Sequence, residues 1–368
     1  AVTDECKEKI EREYKRYLEP LSLEQSYPFE RTTFWPQCPT VKKPGLKGVH
    51  WKSEGPPKQP PTQPYPPRSD STLIPENLSI LYVLLVHDHP EFVKRLLNSL
   101  DEPMHHFVIH VDKKSDSTYQ SLVEFAGDRQ NVHVLVDRVN GVWGGFSLVN
   151  ATLLGLKYAF DHDLSFDFAI DMSGQSYPIK SNEVIRKTLA GDSNKIYMDI
   201  RADPNVPAPE LWHHYVECDN RGHRITRMAT PRGMHLFMGS QWFILPRHAV
   251  QWLLTDSLPR EFIEYAKHIM VADEHYFTTL IKNSPYCADQ VGKNLNYLVF
   301  GEWEQELLSR NGEKDVRKCN QPDPQHCGRS PTTLTKQFLR SVKASRSLFA
   351  RKFDPANSTS MEFVDLVD

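Results

Sequence analysis

The chain has 368 residues, a formal net charge of −3 and no long basic block, so it lacks the electrostatic footprint of a nucleic-acid-binding protein. Its length allows one large α/β domain or two smaller ones. Aromatic residues make up 11% of it, seven Trp among them, more than a minimal core needs and enough to wall a cleft for a small or glycan-like ligand.

Residues 1–20 are charged and helix-prone, and residues 55–76 are so rich in Pro that they must run extended. Residues 1–76 therefore read as a stem with a Pro-rich linker, followed by a single folded domain over 77–368. From Ile80 the texture changes to apolar runs alternating with helical patterns. The reading is strand 80–86, helix 91–100, strand 106–111, helix 117–126, strand 132–136, helix 146–160 and strand 167–172. Further strands are predicted near 195–200 and 241–245, and helices near 247–255, 260–270 and 273–283. Such alternation predicts an α/β fold with a mostly parallel central sheet and helices on both faces.

The cysteines, Cys6, Cys38, Cys218, Cys287, Cys319 and Cys327, include no C-x-x-C pair and no Cys/His cluster at zinc-ligand spacing, which argues against a metal site. Their even number, with N-x-S/T sequons at Asn77, Asn150 and Asn357, points to an oxidising, glycan-adding compartment. Asn150 falls in a predicted helix, leaving Asn77 and Asn357 as the candidate glycosylation sites. Cys319 and Cys327 are expected in one loop, and Cys218 and Cys287, in or beside regular elements, as buried thiols. The longest apolar run, 80–86, is too short to span a bilayer, so any signal or anchor is expected to have been removed or never present.

In open α/β sheets ligands bind beyond the carboxyl ends of the strands. Here those ends are polar: Val86-His87-Asp88-His89, then His110-Val111-Asp112-Lys113-Lys114, and Asp171-Met172-Ser173-Gly174-Gln175. The loop before the long helix reads Val142-Trp143-Gly144-Gly145. A strand-end Asp is often a helix cap and Gly-Gly often a turn, but four such segments in consecutive units point to a site. Near the C-terminus, Ser347-Leu348-Phe349-Ala350-Arg351-Lys352-Phe353 places two cations in an apolar frame. Arg grips phosphate oxygens in a fork and Lys adds a point charge, so the pair could neutralise a diphosphate without a metal. Asp161-His162-Asp163 and Asp323 read as solvated loop or helix-end charges.

These segments resemble the inverting glycosyltransferases that include the core-2/I-branching β-1,6-N-acetylglucosaminyltransferases and the peptide O-xylosyltransferases. The resemblance runs from about Ile80 to Phe353 and adds Gly239-Ser240-Gln241-Trp242-Phe243 and Ala272-Asp273-Glu274-His275 to the segments above. It implies a GT-A-type fold, a UDP-sugar donor (UDP-N-acetylglucosamine or UDP-xylose), a glycan or glycoprotein acceptor and no divalent metal or other cofactor. It also implies residence in the Golgi lumen as a type II membrane protein whose anchor is missing here. Carried over by residue, Val86, Asp112 and Lys114 become donor contacts, Trp143 lies near the donor, Ser330 resembles a donor-side serine, and Arg351 and Lys352 form the diphosphate clamp. Asp171, Ser173, Gln241 and Trp242 are implied near the sugar or acceptor.

Inverting transfer needs a carboxylate to take the acceptor hydroxyl proton. The resemblance makes Glu274 that base, with Asp273 as the helix cap and Asp171 as a weaker alternative. Xylosyltransferases place an Asp where this chain has Gln241, and an amide cannot serve as a base. That departure keeps open a glucuronosyl transfer of the plant-like branch, and an inactive lectin-like or scaffold protein.

Overall fold

The structure, a computed structural model, describes residues 2–20, 26–28, 65–68, 73–200, 213–227, 230–232, 236–299 and 331–368. Strand β1 (Ser26–Pro28) precedes the central strands β2 (Ile80–Val86), β3 (His106–Val111), β4 (Val132–Val134) and β5 (Phe168–Ser173). Then come β6 (Tyr177–Pro178), β7 (Tyr197–Ile200), β8 (His213–Cys218), β9 (Arg221–Arg227), β10 (Thr230–Arg232), β11 (Gly239–Pro246), β12 (Asn296–Tyr297) and β13 (Phe349–Ala350). The helices used below are α1 (Asp4–Glu13), α2 (Pro90–Leu100), α3 (Asp116–Ala126), α4 (Phe146–Asp161), α5 (Asn182–Ala190), α6 (Arg247–Thr255), α7 (Ser257–Ala266) and α8 (Ala272–Lys282).

The central sheet has the order β4-β3-β2-β5-β11-β7. Its first four strands run parallel, as expected for α/β units, while β11 pairs antiparallel with both β5 and β7. All seven residues of β2 are buried because both faces are covered, which is why the strand reads as an unbroken apolar run. Ile80, Tyr82, Leu84 and Val86 join the cluster that holds Phe92, Val93, Leu96, Leu97 and Leu122, from α2 and α3. Leu81 and Val83 face the opposite cluster with α4, α6, α7 and α8.

A small sheet of order β12-β13-β6 lies beside the main one. Phe349, Ala350 and Phe353 are fully buried in the α2 side of the core, so the apolar frame expected around the two C-terminal cations is real. β8 and β9 form an antiparallel hairpin. The N-terminal helix α1, expected as stem, is fastened to that hairpin: Cys6 and Cys218 form a disulfide, and Asp219 accepts from the Thr3 N–H (2.8 Å) and hydroxyl (2.6 Å). This corrects the expectation of Cys218 as a thiol. Cys287 is likewise disulfide-bonded and not a thiol. The bond between Cys6 and Cys218 joins residues 212 apart, a distance at which local sequence carries no pairing signal. Cys319 and Cys327 lie outside the described residues. No helix among the described residues is long and apolar enough to cross a membrane.

Candidate active site

At the carboxyl end of β3 the chain builds a rigid wall. The Asp112 N–H donates to Val86 O (2.8 Å), tying the ends of β2 and β3 together. The Asp112 carboxylate accepts from Lys114 N (2.9 Å) and Nζ (3.0 Å) and from Gly141 N (3.1 Å), and Lys114 Nζ also reaches Gly141 O (2.6 Å). Asp112 and Lys114 thus pair at the strand end, and both hold the loop that leads to Trp143. Trp143 itself is 62% exposed, free to stack on a ligand.

The Gly144-Gly145 pair then couples this loop to the helix that carries the acids. Gly144 has φ +68°, a left-handed conformation that glycine tolerates. Its carbonyl accepts from Val271 N (2.6 Å) and Ala272 N (3.3 Å), the entry to α8. Val271, also left-handed, occupies the N-cap without a side-chain cap bond. The capping role expected of Asp273 therefore does not hold: Asp273 sits one step inside the helix, buried, with Oδ1 lacking a hydrogen-bond partner.

Three carboxylates from two elements lie within electrostatic reach of one cation. Arg351, delivered by β13, lies with Cζ 4.6 Å from the centre of the Trp242 ring and feels the charges of Asp273, Glu274 and Asp171. Burial pulls the Arg351 guanidinium down to about 10, against the pull of those acids, and its Nε has no hydrogen-bond partner. Burial and the neighbouring Glu274 charge push Asp273 up to about 7. Asp171, on β5, is raised well above the usual carboxylate range, mainly by burial; only the Thr152 hydroxyl donates to it, at 3.2 Å. Glu274 is half-buried, so of the three it is the acid reachable from solvent together with close charge support. Trp242 is wedged against Leu85 and Ala151, with Val139 alongside, so one indole connects the strand ends, the loop wall and the cation.

The other expected residues divide. Ser173 is buried, its hydroxyl turned back to accept from Gln175 N (3.1 Å), while Gln241 is half-buried beside Trp242. Lys352 is half-buried next to Arg351, and its carbonyl accepts from Leu334 N (2.8 Å). Ser330 and Asp323 lie outside the described residues. Asp161 and Asp163 are exposed at the end of α4, and Asp161 pairs with Lys157. Asn77 is exposed in a short turn; Asn357 caps the helix Ser358–Asp365, its Oδ1 accepting from Thr359 N (3.0 Å) and Oγ1 (2.7 Å). Among the described residues, the one group spaced to hold a metal is Cys6, Cys218 and His223, and two of its members are consumed by the disulfide. Sequence reasoning assigned no role to Glu217, which turns its carboxylate toward the start of α4 from β8.

Comparison with known proteins finds relatives over most of the chain. The family described as Core-2/I-Branching enzyme matches residues 80–343. Xylosyltransferase 2 of Mus musculus is 30% identical over 298 residues, 78% of this chain and 33% of that protein; xylosyltransferase 1 of Rattus norvegicus is 27% identical over 289 residues, 76% and 34%. The chain spans about a third of the length of these relatives. A 4-diphosphocytidyl-2C-methyl-D-erythritol synthase structure from Anaerococcus prevotii overlays at 12% identity and TM-score 0.27, covering 50% of this chain and 78% of that one, too loosely to carry an argument. The match over 80–343 takes in β2 to β11, the Gly144-Gly145 turn and the entry to α8, and on that ground the chain belongs to the Core-2/I-branching enzyme family.

Proposed function

We propose that this chain is an inverting glycosyltransferase that moves a sugar from a UDP-sugar to a hydroxyl of a glycan or glycoprotein, forming a β linkage without a divalent metal. The observation that carries this reading is Arg351 stacked over the Trp242 ring, 4.6 Å from its centre, within electrostatic reach of Glu274, Asp273 and Asp171. Glu274 takes the proton of the acceptor hydroxyl, whose oxygen attacks the anomeric carbon as the bond from that carbon to UDP breaks. Arg351 and Lys352 meet the charge that develops on the leaving diphosphate, and the buried setting strengthens that interaction. Asp171 and Asp273, too enclosed to reach an acceptor and pushed by burial toward their protonated forms, leave Glu274 as the acid available for that step. The names of the relatives favour UDP-xylose as the first donor to test, followed by UDP-N-acetylglucosamine. The disulfide between Cys6 and Cys218 fits an oxidising lumen, and we place the protein in the Golgi with a membrane anchor preceding this segment.

The test is a panel of UDP-sugars assayed for turnover and for thermal shift with the wild type and Glu274→Gln. Glu274→Gln preserves size but not basicity, so transfer falls at least about a hundredfold while the UDP thermal shift stays. Retained turnover in Glu274→Gln with loss in Asp171→Asn reassigns the base, and absence of turnover with every donor removes the enzymatic reading.

A further inference from the structure

The hairpin β8–β9 has no residue among those expected in the site, yet it touches the site's scaffold twice. The Glu217 carboxylate accepts from Ser147 N (3.2 Å) in the first turn of α4, where the helix dipole favours a negative charge. It also lies on the bare Cα of Gly145: a Cβ there would sit 2.6 Å from Glu217 Cδ. From the other strand, a Cβ on Gly222 would come 3.3 Å from Met270 Sδ, and one on Gly144 would come 3.1 Å from Met270 Cε. Met270 is thus packed between the hairpin and the Gly144 turn, immediately before Val271.

We infer that Glu217 is a positioning residue: its carboxylate sets the depth of residues 142–145 and, through Gly144 O, the placement of the α8 entry that carries Asp273 and Glu274. The path is continuous. Gly145 N donates to Val142 O (2.9 Å), closing the turn that Glu217 backs, and Gly144 O receives Val271 N at 2.6 Å. Glu217 is itself held from behind by α1. Its carbonyl accepts from Lys9 Nζ (2.8 Å), the next residue is disulfide-bonded to Cys6, and Asp219 accepts from Thr3. The N-terminal helix is therefore the outer end of a brace whose inner end is the helix bearing the acids.

This inference rests on the proposed transfer for its kinetic readout, so the test includes an arm that does not need activity. Amide hydrogen exchange at residues 271 and 272 is compared in the wild type, Glu217→Gln and Glu217→Ala, with kcat and KM for donor and acceptor measured in parallel. The expected result is faster exchange, by about tenfold or more, in Glu217→Ala and near-wild-type exchange in Glu217→Gln, which keeps the acceptor oxygen. In turnover, Glu217→Ala lowers kcat by about tenfold or more with donor KM little changed, and Glu217→Gln restores most of it. Should Glu217→Ala fail to fold, Gly145→Ala displaces the carboxylate without removing it, and the loss it causes is relieved by adding Glu217→Asp. Unchanged exchange at 271 and 272 in Glu217→Ala overturns the inference, as does a raised acceptor KM at constant kcat, which would make Glu217 a binding group. A wild type that turns over no UDP-sugar defeats the proposed function alone, and the exchange arm still decides this one.

Discussion

Asp273 offers a quantitative check on the electrostatics of the site. Its ordinary value is 3.8, and burial with the Glu274 charge beside it moves the folded value to about 7. Between those two values the folded protein keeps a proton that the unfolded chain has lost. The native state binds more protons there, so its stability falls as pH rises through the window and levels off above about pH 7. At about 1.4 kcal/mol per unit, integration from pH 5 to pH 8 gives a loss of about 2–3 kcal/mol from this group. Asp273→Asn keeps the shape and removes the titration. Urea unfolding with disulfides intact, at pH 5 and pH 8, should therefore show a smaller decline in Asp273→Asn than in the wild type by that amount. Taking the difference between the two proteins cancels the buried histidines, which titrate in both. Equal declines within about 0.5 kcal/mol would refute the placement of Asp273 as a buried, proton-holding acid.

Replacing Arg351 with Met removes the one cation facing three carboxylates, and UDP affinity, followed by titration at pH 7, should fall by about tenfold or more because charge-assisted hydrogen bonds are each worth about 1.5–3 kcal/mol. Affinity within twofold of wild type would make Arg351 a purely structural ion. Cys6→Ser unhooks α1 from the hairpin and should lower stability to urea by about 2–5 kcal/mol, since the bond closes a very long loop. Strong chelation should leave turnover unchanged; a loss beyond about tenfold, restored by manganese, would show that a metal and not Arg351 and Lys352 carries the diphosphate charge.

The parallel core was legible because each apolar run from β2 to β5 ends in a burst of polar residues, and that punctuation marks both the strand and its ligand-facing end. Direction was not legible for β7 and β11: an apolar strand reads the same whichever way it pairs, and only the long connections decide. Arg351, Trp242 and Glu274 could be singled out from local motifs and the family likeness. The character of Asp273 could not, because it depends on how deeply the fold buries it beside Glu274, which local sequence does not state. No role could be read for Glu217 either, because its meaning comes from bare glycine surface supplied by another segment. Cys218 looked like a thiol because it lies in a regular element and its partner, Cys6, is 212 residues away.

The small sheet of β12, β13 and β6 has a consequence for biosynthesis. Arg351 follows Phe349 and Ala350, which pair with Tyr177, Pro178, Asn296 and Tyr297, so its guanidinium is set in place only after the acid-bearing β5 and α8 have been made. Until then Asp171, Asp273 and Glu274 lack the neighbouring Arg351 charge that acts on them in the folded protein. A nascent chain stalled before residue 349 would therefore carry the central sheet and both acid-bearing elements without that cation.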